Sequence, residues 1–352
     1  MIEVLWHGRG GQGAFTAARL LGAAASLAEG RYALAFPSFG PERRGAPMRA
    51  FTKMGDVPLG DRSAVSKADF VVYLDAEGTY EPTADEVRFL CDRHFGIGGD
   101  GLIRLAHPQA VSDVNERQIA DCAAGDADWF MDYRNADGSL AEMCGNGTRA
   151  ITLFAQRRGI ADQPGGKPFH LGTRAGVKIL TSLGDVPGLG KDVFQVEMGA
   201  WKRGDVDGYE VTIPGTSGSA RGTFVDMGNP HVVAVLEDAF ASLPNVEDLD
   251  LVTKPVVAPE IPSDQNVEFV RIDEQSEGDD AGEATMRVNE RGCGETLSCG
   301  TGLCATAITL RAKTGIDHWT ITVRGGTLRV DVTDEDVKLT GSATIVGKIE
   351  LL

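Results

Sequence analysis

Long apolar runs are missing from these 352 residues: the longest, at 20–28, is short and broken by glycine and serine. A membrane span needs roughly 20 apolar residues, so none is expected. A secretory signal is not expected either, because Glu3, His7 and Arg9 interrupt the start. Cysteine is sparse. Cys91, Cys122, Cys144, Cys293, Cys299 and Cys304 include no C-x-x-C pair, which excludes a disulfide framework and makes reduced thiols in a cytoplasm the default. Positive charge is also short: 34 Lys/Arg against 51 Asp/Glu leave a net −17, so general nucleic-acid or anionic-membrane binding is disfavoured. What is present, 42% hydrophobic and 24% charged residues, is the composition of a globular protein long enough for two ordinary domains.

Charge is unevenly spread. Residues 1–75 carry nine Lys/Arg and seven Asp/Glu, a net of +2, so all of the acidic excess lies beyond them. This sign change suggests a composite chain. In the first part, an apolar strand at 2–6 precedes Gly8-Arg9-Gly10-Gly11-Gln12-Gly13 and an alanine-rich helical run at about 15–28, with Gly30 as a stop. G-x-G-x-x-G between strand and helix can hold a phosphate on backbone amides. A dinucleotide site also needs an acidic residue about 20 positions on, and the strand-like stretch 32–36 contains none. A glycine turn that packs a helix on a strand is therefore the preferred reading.

The rest is dominated by a repeat. Cys144-Gly145-Asn146-Gly147 leads into a helical pattern at 148–158 closed by Gly159. Cys299-Gly300-Thr301-Gly302, 155 residues later, leads into another at 303–313 closed by Gly315. Each copy puts a thiol just before a helix, where the dipole and free amides should lower its pKa and could also bind a carboxylate. Two halves facing one another would present thiols to opposite faces of one ligand. That arrangement suits racemisation or epimerisation: one thiolate removes an α-proton and the other thiol protonates the opposite face. The remaining four cysteines carry no partner signal and are assigned to packing. One sulfur per motif is too few for a metal, and none is expected.

Two resemblances follow from particular motifs. WHGRGGQG, AFPSFGPERRGAPMRAFTK and ADFVVYLD, within residues 1–75, resemble the gamma domain of the pyruvate and 2-oxoacid:ferredoxin oxidoreductases. That family's thiamine and iron–sulfur chemistry sits on companion domains, and no grouped cysteines exist here to hold a cluster. From about 75 to 352 the chain resembles diaminopimelate epimerase, through CDRHFGIGGDG, YRNADGSLAEMCGNGTRA, DMGNPHVV, QNVEFV and NERGCGETLSCGTG in family order. The related proline racemases usually carry Cys-Gly-His-Gly in the first motif, so Asn146 favours the epimerase branch.

The resemblance implies roles residue by residue. Cys144 and Cys299 match the two acid/base thiols. Asn135, Asn229 and Asn266 match asparagines that bind the non-reacting end of the substrate. Glu290 and Arg291 match the pair that holds amino and carboxylate groups. Gly145, Asn146, Gly300 and Thr301 match the backbone-amide cradles, and His231 a histidine near the thiols. Read without the family, Asn135 is a turn former, Asn229 and His231 are loop and junction residues, Asn266 starts a strand and Glu290-Arg291 is a solvated pair.

Two departures stand out. The family's opening strand is followed by His-Gly-x-Gly-Asn-Asp-Phe, whereas 48–54 and 69–72 flank a stretch with Ala68 at the asparagine position. Gly101 stands where many relatives have glutamine.

The expected fold is α+β: two pseudo-symmetric halves, each a curved mixed sheet or barrel around a central helix, with an N-terminal strand–glycine loop–helix extension. The expected units are 1–75, 76–198 and 199–352, with the last strand returning to the first half. The expected function is cofactor-independent epimerisation of LL-diaminopimelate to the meso form, impaired by the altered N-terminus. Alternatives are racemisation of proline or hydroxyproline, or a non-catalytic interaction protein. The expected partner is a small-molecule amino acid, with no nucleic acid or membrane, and a homodimer is a candidate assembly.

Overall fold

The computed structural model describes residues 2–9, 14–27, 32–38, 47–55, 69–93, 96–236 and 242–347. Gly10 to Gly13 of the glycine loop, Gly30 and Ala68 lie outside the described residues. The N-terminal unit consists of β1 (Ile2–Arg9), α1 (Ala14–Ser26), β2 (Tyr32–Ser38) and β3 (Pro47–Gly55). Strand β3 lies between β1 and β2 and is antiparallel to both. So β1 and β2 run parallel, joined through α1. The helix is tied to this sheet where the buried Thr52 Oγ1 donates to the Ala18 carbonyl at 2.8 Å.

The remainder is one large mixed sheet with helices set into it. In its first half the order is β4 (Phe70–Leu74), α2 (Ala84–Cys91), β5 (Gly101–Ala106), α3 (Glu116–Ala124), β6 (Trp129–Asn135), α4 (Gly145–Arg157), β7 (Phe169–Thr173), β8 (Gly176–Val186) and β9 (Gly190–Gly199). Then follow β10 (Lys202–Arg203), β11 (Tyr209–Thr212), β12 (Ala220–Asp226), β13 (Pro230–Val235), β14 (Val256–Ala258), β15 (Asn266–Ser276), β16 (Ala281–Glu290) and β17 (Gly294–Thr296). Helix α5 (Gly300–Thr314) and strands β18 (His318–Val323), β19 (Gly326–Val332) and β20 (Val337–Ser342) complete the second half.

Pairing reveals the repeat. Strand β4 is parallel to β5, β5 antiparallel to β6, and β6 parallel to β7 beyond α4. In the same way β13 is parallel to β15, β15 antiparallel to β16, and β16 parallel to β18 beyond α5. The halves join edge to edge where β20 pairs antiparallel with β9, from Val337↔Gly199 to Ser342↔Val193. Each half is an open curved sheet rather than a closed barrel. Strand β4, although within the 1–75 segment, is paired into this large sheet.

Helix α5 is buried along nearly its whole length and packs against β12, β13, β15, β16 and β18–β20. An apolar helix without a polar face belongs inside a core, and Leu303, Ala307, Ile308 and Leu310 supply that core. Helix α4 packs against β4–β6, β8, β9 and β20. Both helices start three residues earlier than the sequence pattern indicates, because the C-G-x-G glycines form their first turns. Gly315 ends α5 at φ +81°, where a side chain would be strained.

Candidate active site

Cys144 and Cys299 occupy the residue immediately before α4 and α5, each with extended backbone. The two helix N-termini meet through their first glycines. A Cβ added to Gly300 would lie 3.3 Å from the Gly145 Cα, and one added to Gly145 would lie 3.6 Å from the Gly300 Cα. Only residues without side chains allow backbones so close. Leu339 of β20 packs over both. The positive ends of two helix dipoles therefore converge beside two sulfurs.

The thiols nevertheless titrate above the ordinary range. At Cys144, burial is the largest influence and pushes the pKa up; the amides of Gly147 and Asn146 and the Arg149 guanidinium pull it down, while Glu290 opposes them. At Cys299, burial and the carboxylates of Glu290 and Glu268 push it well up against help from Thr301 and the Gly302 amide. The expected lowering by the helix start is present but outweighed by burial.

Glu290, at the end of β16, faces both sulfurs. Burial raises its pKa, while hydrogen bonds from Thr296 and Cys299 pull it down. Asn135, at the end of β6, is its counterpart, since each lies nine residues before its cysteine. Asn135 Nδ2 donates to Ser139 Oγ at 3.0 Å and its carbonyl accepts from Gly138, so the residue is both strand end and turn. Arg291 is only partly drawn in: its amide donates to Asn266 Oδ1 at 2.8 Å, but its exposed guanidinium bonds the Ser263 carbonyl.

His231 is fully buried and paired in register with Asn266 across β13 and β15. Its Nδ1 lies 2.7 Å from Glu268 Oε1, and its Nε2 lies 3.1 Å from Asn229 Oδ1. Asn229 Nδ2 donates to Thr301 Oγ1 at 3.3 Å, and that hydroxyl lies 3.6 Å from Cys299 Sγ. Thus Asn229, His231, Asn266, Thr301 and Cys299 converge. Asn146 Oδ1 instead accepts from Arg149 Nη2 at 2.9 Å.

Sequence reasoning missed Glu268, Arg149 and Tyr133. Arg149 is buried, its pKa lowered to about 10 by that burial, and bonds the Gly145 and Ser342 carbonyls. Tyr133 explains Gly101: a Cβ there would fall 2.5 Å from Tyr133 Cε2 and 2.6 Å from the Arg134 carbonyl oxygen. The ring, edge-on to Phe70 at 5.7 Å, occupies the space of a longer side chain. Strand alternation placed Tyr133 inward, a signal available in β6. Cys91, Cys122 and Cys304 are buried as expected; Cys293 is exposed, because it sits in the β16–β17 turn with its amide bonded to the Glu290 carbonyl. Among the described residues no group of three or more His, Cys, Asp or Glu could hold a metal ion, and no helix is long and apolar enough to cross a membrane.

The architecture is shared with proteins of known structure. A phenazine biosynthesis protein of the PhzF family from Bacillus anthracis superposes with TM-score 0.53 at 15% identity, covering 83% of this chain and 96% of that one. A probable proline racemase from Agrobacterium radiobacter gives 0.50 at 16%, covering 76% and 81%. Within that fold the sequence is decisive: the chain belongs to the diaminopimelate epimerase family, whose model matches residues 66–201 and 223–346. The diaminopimelate epimerase of Streptomyces coelicolor is 37% identical over 298 residues, 80% of this chain and 91% of that protein. That of Mycolicibacterium paratuberculosis is 38% identical over 291 residues, 80% and 93% respectively. Residues 3–89 match the pyruvate ferredoxin/flavodoxin oxidoreductase family, so the two matches overlap across β4 and α2.

Proposed function

We propose that the chain epimerises LL-diaminopimelate to the meso form in the cytoplasm, with Cys144 and Cys299 as the acid/base pair and without a cofactor. The observation that carries this reading is the meeting of α4 and α5 at Gly145 and Gly300, each helix headed by a thiol. Amides of Gly145, Asn146, Gly300 and Thr301 would cradle the reacting carboxylate, and the α-ammonium would sit against Glu290. That ammonium brings the positive charge needed to ionise a thiol held high by burial. One thiolate then takes the α-proton, and the opposite thiol delivers its own proton to the other face. Developing charge is stabilised by fixed amides in a site largely closed to water.

Asn135, Asn229 and Asn266 would hold the distal, non-reacting end, and His231 would support the second thiol. Arg291 would reach a carboxylate by leaving the Ser263 carbonyl. The chain would divide near 75/76, with β4 already in the sheet of the second unit, and at 198/199, the first unit adding no redox chemistry of its own.

The test is incubation in deuterated water with each candidate amino acid under reducing conditions. Label at an α-carbon of diaminopimelate is the expected result. Label only in proline or hydroxyproline would make the chain a racemase of those amino acids, and label in none a non-catalytic protein.

A further inference from the structure

Glu268 is fully buried on β15, and its second oxygen, Oε2, has no hydrogen-bond partner among the described residues. A carboxylate so placed is costly to bury, and its counterpart in the other half is Ile103: the counterparts abut Gly302 and Gly147, three residues after each cysteine. A core position that is apolar in one copy and acidic in the other invites a chemical reason.

The contacts supply one. From Glu268 Oε1 a continuous line runs to His231 Nδ1 (2.7 Å), His231 Nε2 to Asn229 Oδ1 (3.1 Å), Asn229 Nδ2 to Thr301 Oγ1 (3.3 Å) and that hydroxyl to Cys299 Sγ (3.6 Å). Asn229 presents its oxygen to the ring, so Nε2 carries a proton. Its amide nitrogen donates to Thr301, which leaves the Thr301 hydroxyl proton free to point at the sulfur. From Nε2 onward each donor is then aimed towards Cys299. The short Nδ1–Oε1 contact is itself a hydrogen bond, and it anchors the ring to Glu268.

We propose that Glu268 is a positioning residue: through His231, Asn229 and Thr301 it aims a hydroxyl donor at Cys299 and so favours the thiolate of this cysteine specifically. Other charged groups facing this thiol are few. Through space the Glu268 carboxylate itself disfavours this thiolate, so the donor line must outweigh the charge that anchors it; Glu290 reaches the thiol from the end of β16 and disfavours its thiolate too, but Glu290 faces Cys144 as well. Cys144 has no such line: Phe70 and Ile103 stand at the places of His231 and Glu268, and the Asn146 oxygen is taken by Arg149.

The inference rests on reading Cys299 as a working thiol, so its test is read from thiol chemistry and not from turnover. The pH dependence of iodoacetamide alkylation is followed separately at Cys144 and Cys299 by peptide mass spectrometry, in the full chain and in Glu268→Gln. Glutamine keeps an acceptor for Nδ1 but removes the charged oxygen that holds the ring in place. The expected result is a Cys299 midpoint raised by about one pH unit, roughly tenfold slower alkylation at neutral pH, with Cys144 unchanged. A lowered Cys299 midpoint would mean that Glu268 acts as a bare negative charge, and equal shifts at both thiols that it is only structural; either overturns the proposal, as does no shift. Should Glu268→Gln not fold, Thr301→Val cuts the line at its other end. It is expected to raise the Cys299 midpoint alone, and an unchanged midpoint there is equally fatal.

Discussion

The two thiol environments differ far more than the two backbones that build them. Strand pairing, helix start and the glycine after each cysteine repeat in the same order. Around Cys299, however, stand His231, Glu268 and Thr301, whereas around Cys144 stand Phe70, Ile103, Tyr133 and the Arg149 guanidinium. Shared geometry is what the proposed reaction demands, since both faces of one carbon must be reached. Electrostatics are not shared, and the lesson is that a duplicated scaffold can hold two acids of unequal strength. One thiol is helped by a hydroxyl at the end of a buried hydrogen-bonded line, the other by a guanidinium that bonds backbone carbonyls and Asn146.

The bluntest way to break the comparison is to remove either thiol. Cys144→Ala and Cys299→Ala should each abolish complete turnover, by at least about 1000-fold in kcat, because one sulfur cannot serve both faces. Serine should be nearly as severe, its hydroxyl being a much weaker acid. Near-normal epimerisation of diaminopimelate by either alanine variant would end the two-thiol account.

A sharper probe uses the matched glycines of the first helical turns. A Cβ at Gly302 would land 2.6 Å from Glu268 Oε1, an atom held by His231, whereas one at Gly147 would meet the Met131 methyl at 2.7 Å. The thioether end can swing aside; the buried carboxylate cannot without losing its partner. Gly302→Ala should therefore destabilise by about 1–3 kcal/mol, and Gly147→Ala by less, with some helix-propensity gain in both. Urea unfolding of the two variants decides the order, and a reversed order would break the asymmetry.

How much of this could be read beforehand divides along the same line. The cysteine pair, both helices and the near-repetition are local patterns in sequence, and they emerged as such. Glu268 and Phe70 did not, because their meaning depends on β13 lying beside β15 and β4 beside β5 in particular registers. Glu268 in Asn-Val-Glu-Phe reads as an ordinary alternating strand position until His231 is set against it. Gly101 is similar: only the Tyr133 ring across the β5–β6 pair accounts for the missing side chain.

Acidity offers a gentler test. Burial holds both thiols above the ordinary thiol range and Glu290 above the ordinary carboxylate range. Turnover needs one thiolate and an ionised Glu290, and both populations grow as pH rises, so kcat/KM should climb steadily from about pH 6 to 8.5. A flat profile in steady-state assays across that interval would contradict it. Smallest of all is the expected response to chelators: dialysis against EDTA should leave kcat/KM unchanged in reduced protein, and a loss restored by metal would require a site that the described residues do not form.

The seam between β9 and β20 carries a consequence for how the protein comes into being. Residues near 195 must find residues near 340 before the last strand of the first half, already paired with β8, gains a neighbour on its other edge. Closing so long a loop is entropically expensive, and such distant pairings slow folding. Leu339, on the arriving strand, also sits over Gly145 and Gly300. During synthesis the first sheet therefore waits, one edge bare and its cysteine without an opposite number, until most of the chain has been made. Chemistry is the last property this polypeptide acquires, and a truncated chain lacking β20 is left with an unpaired strand edge of the kind that invites aggregation.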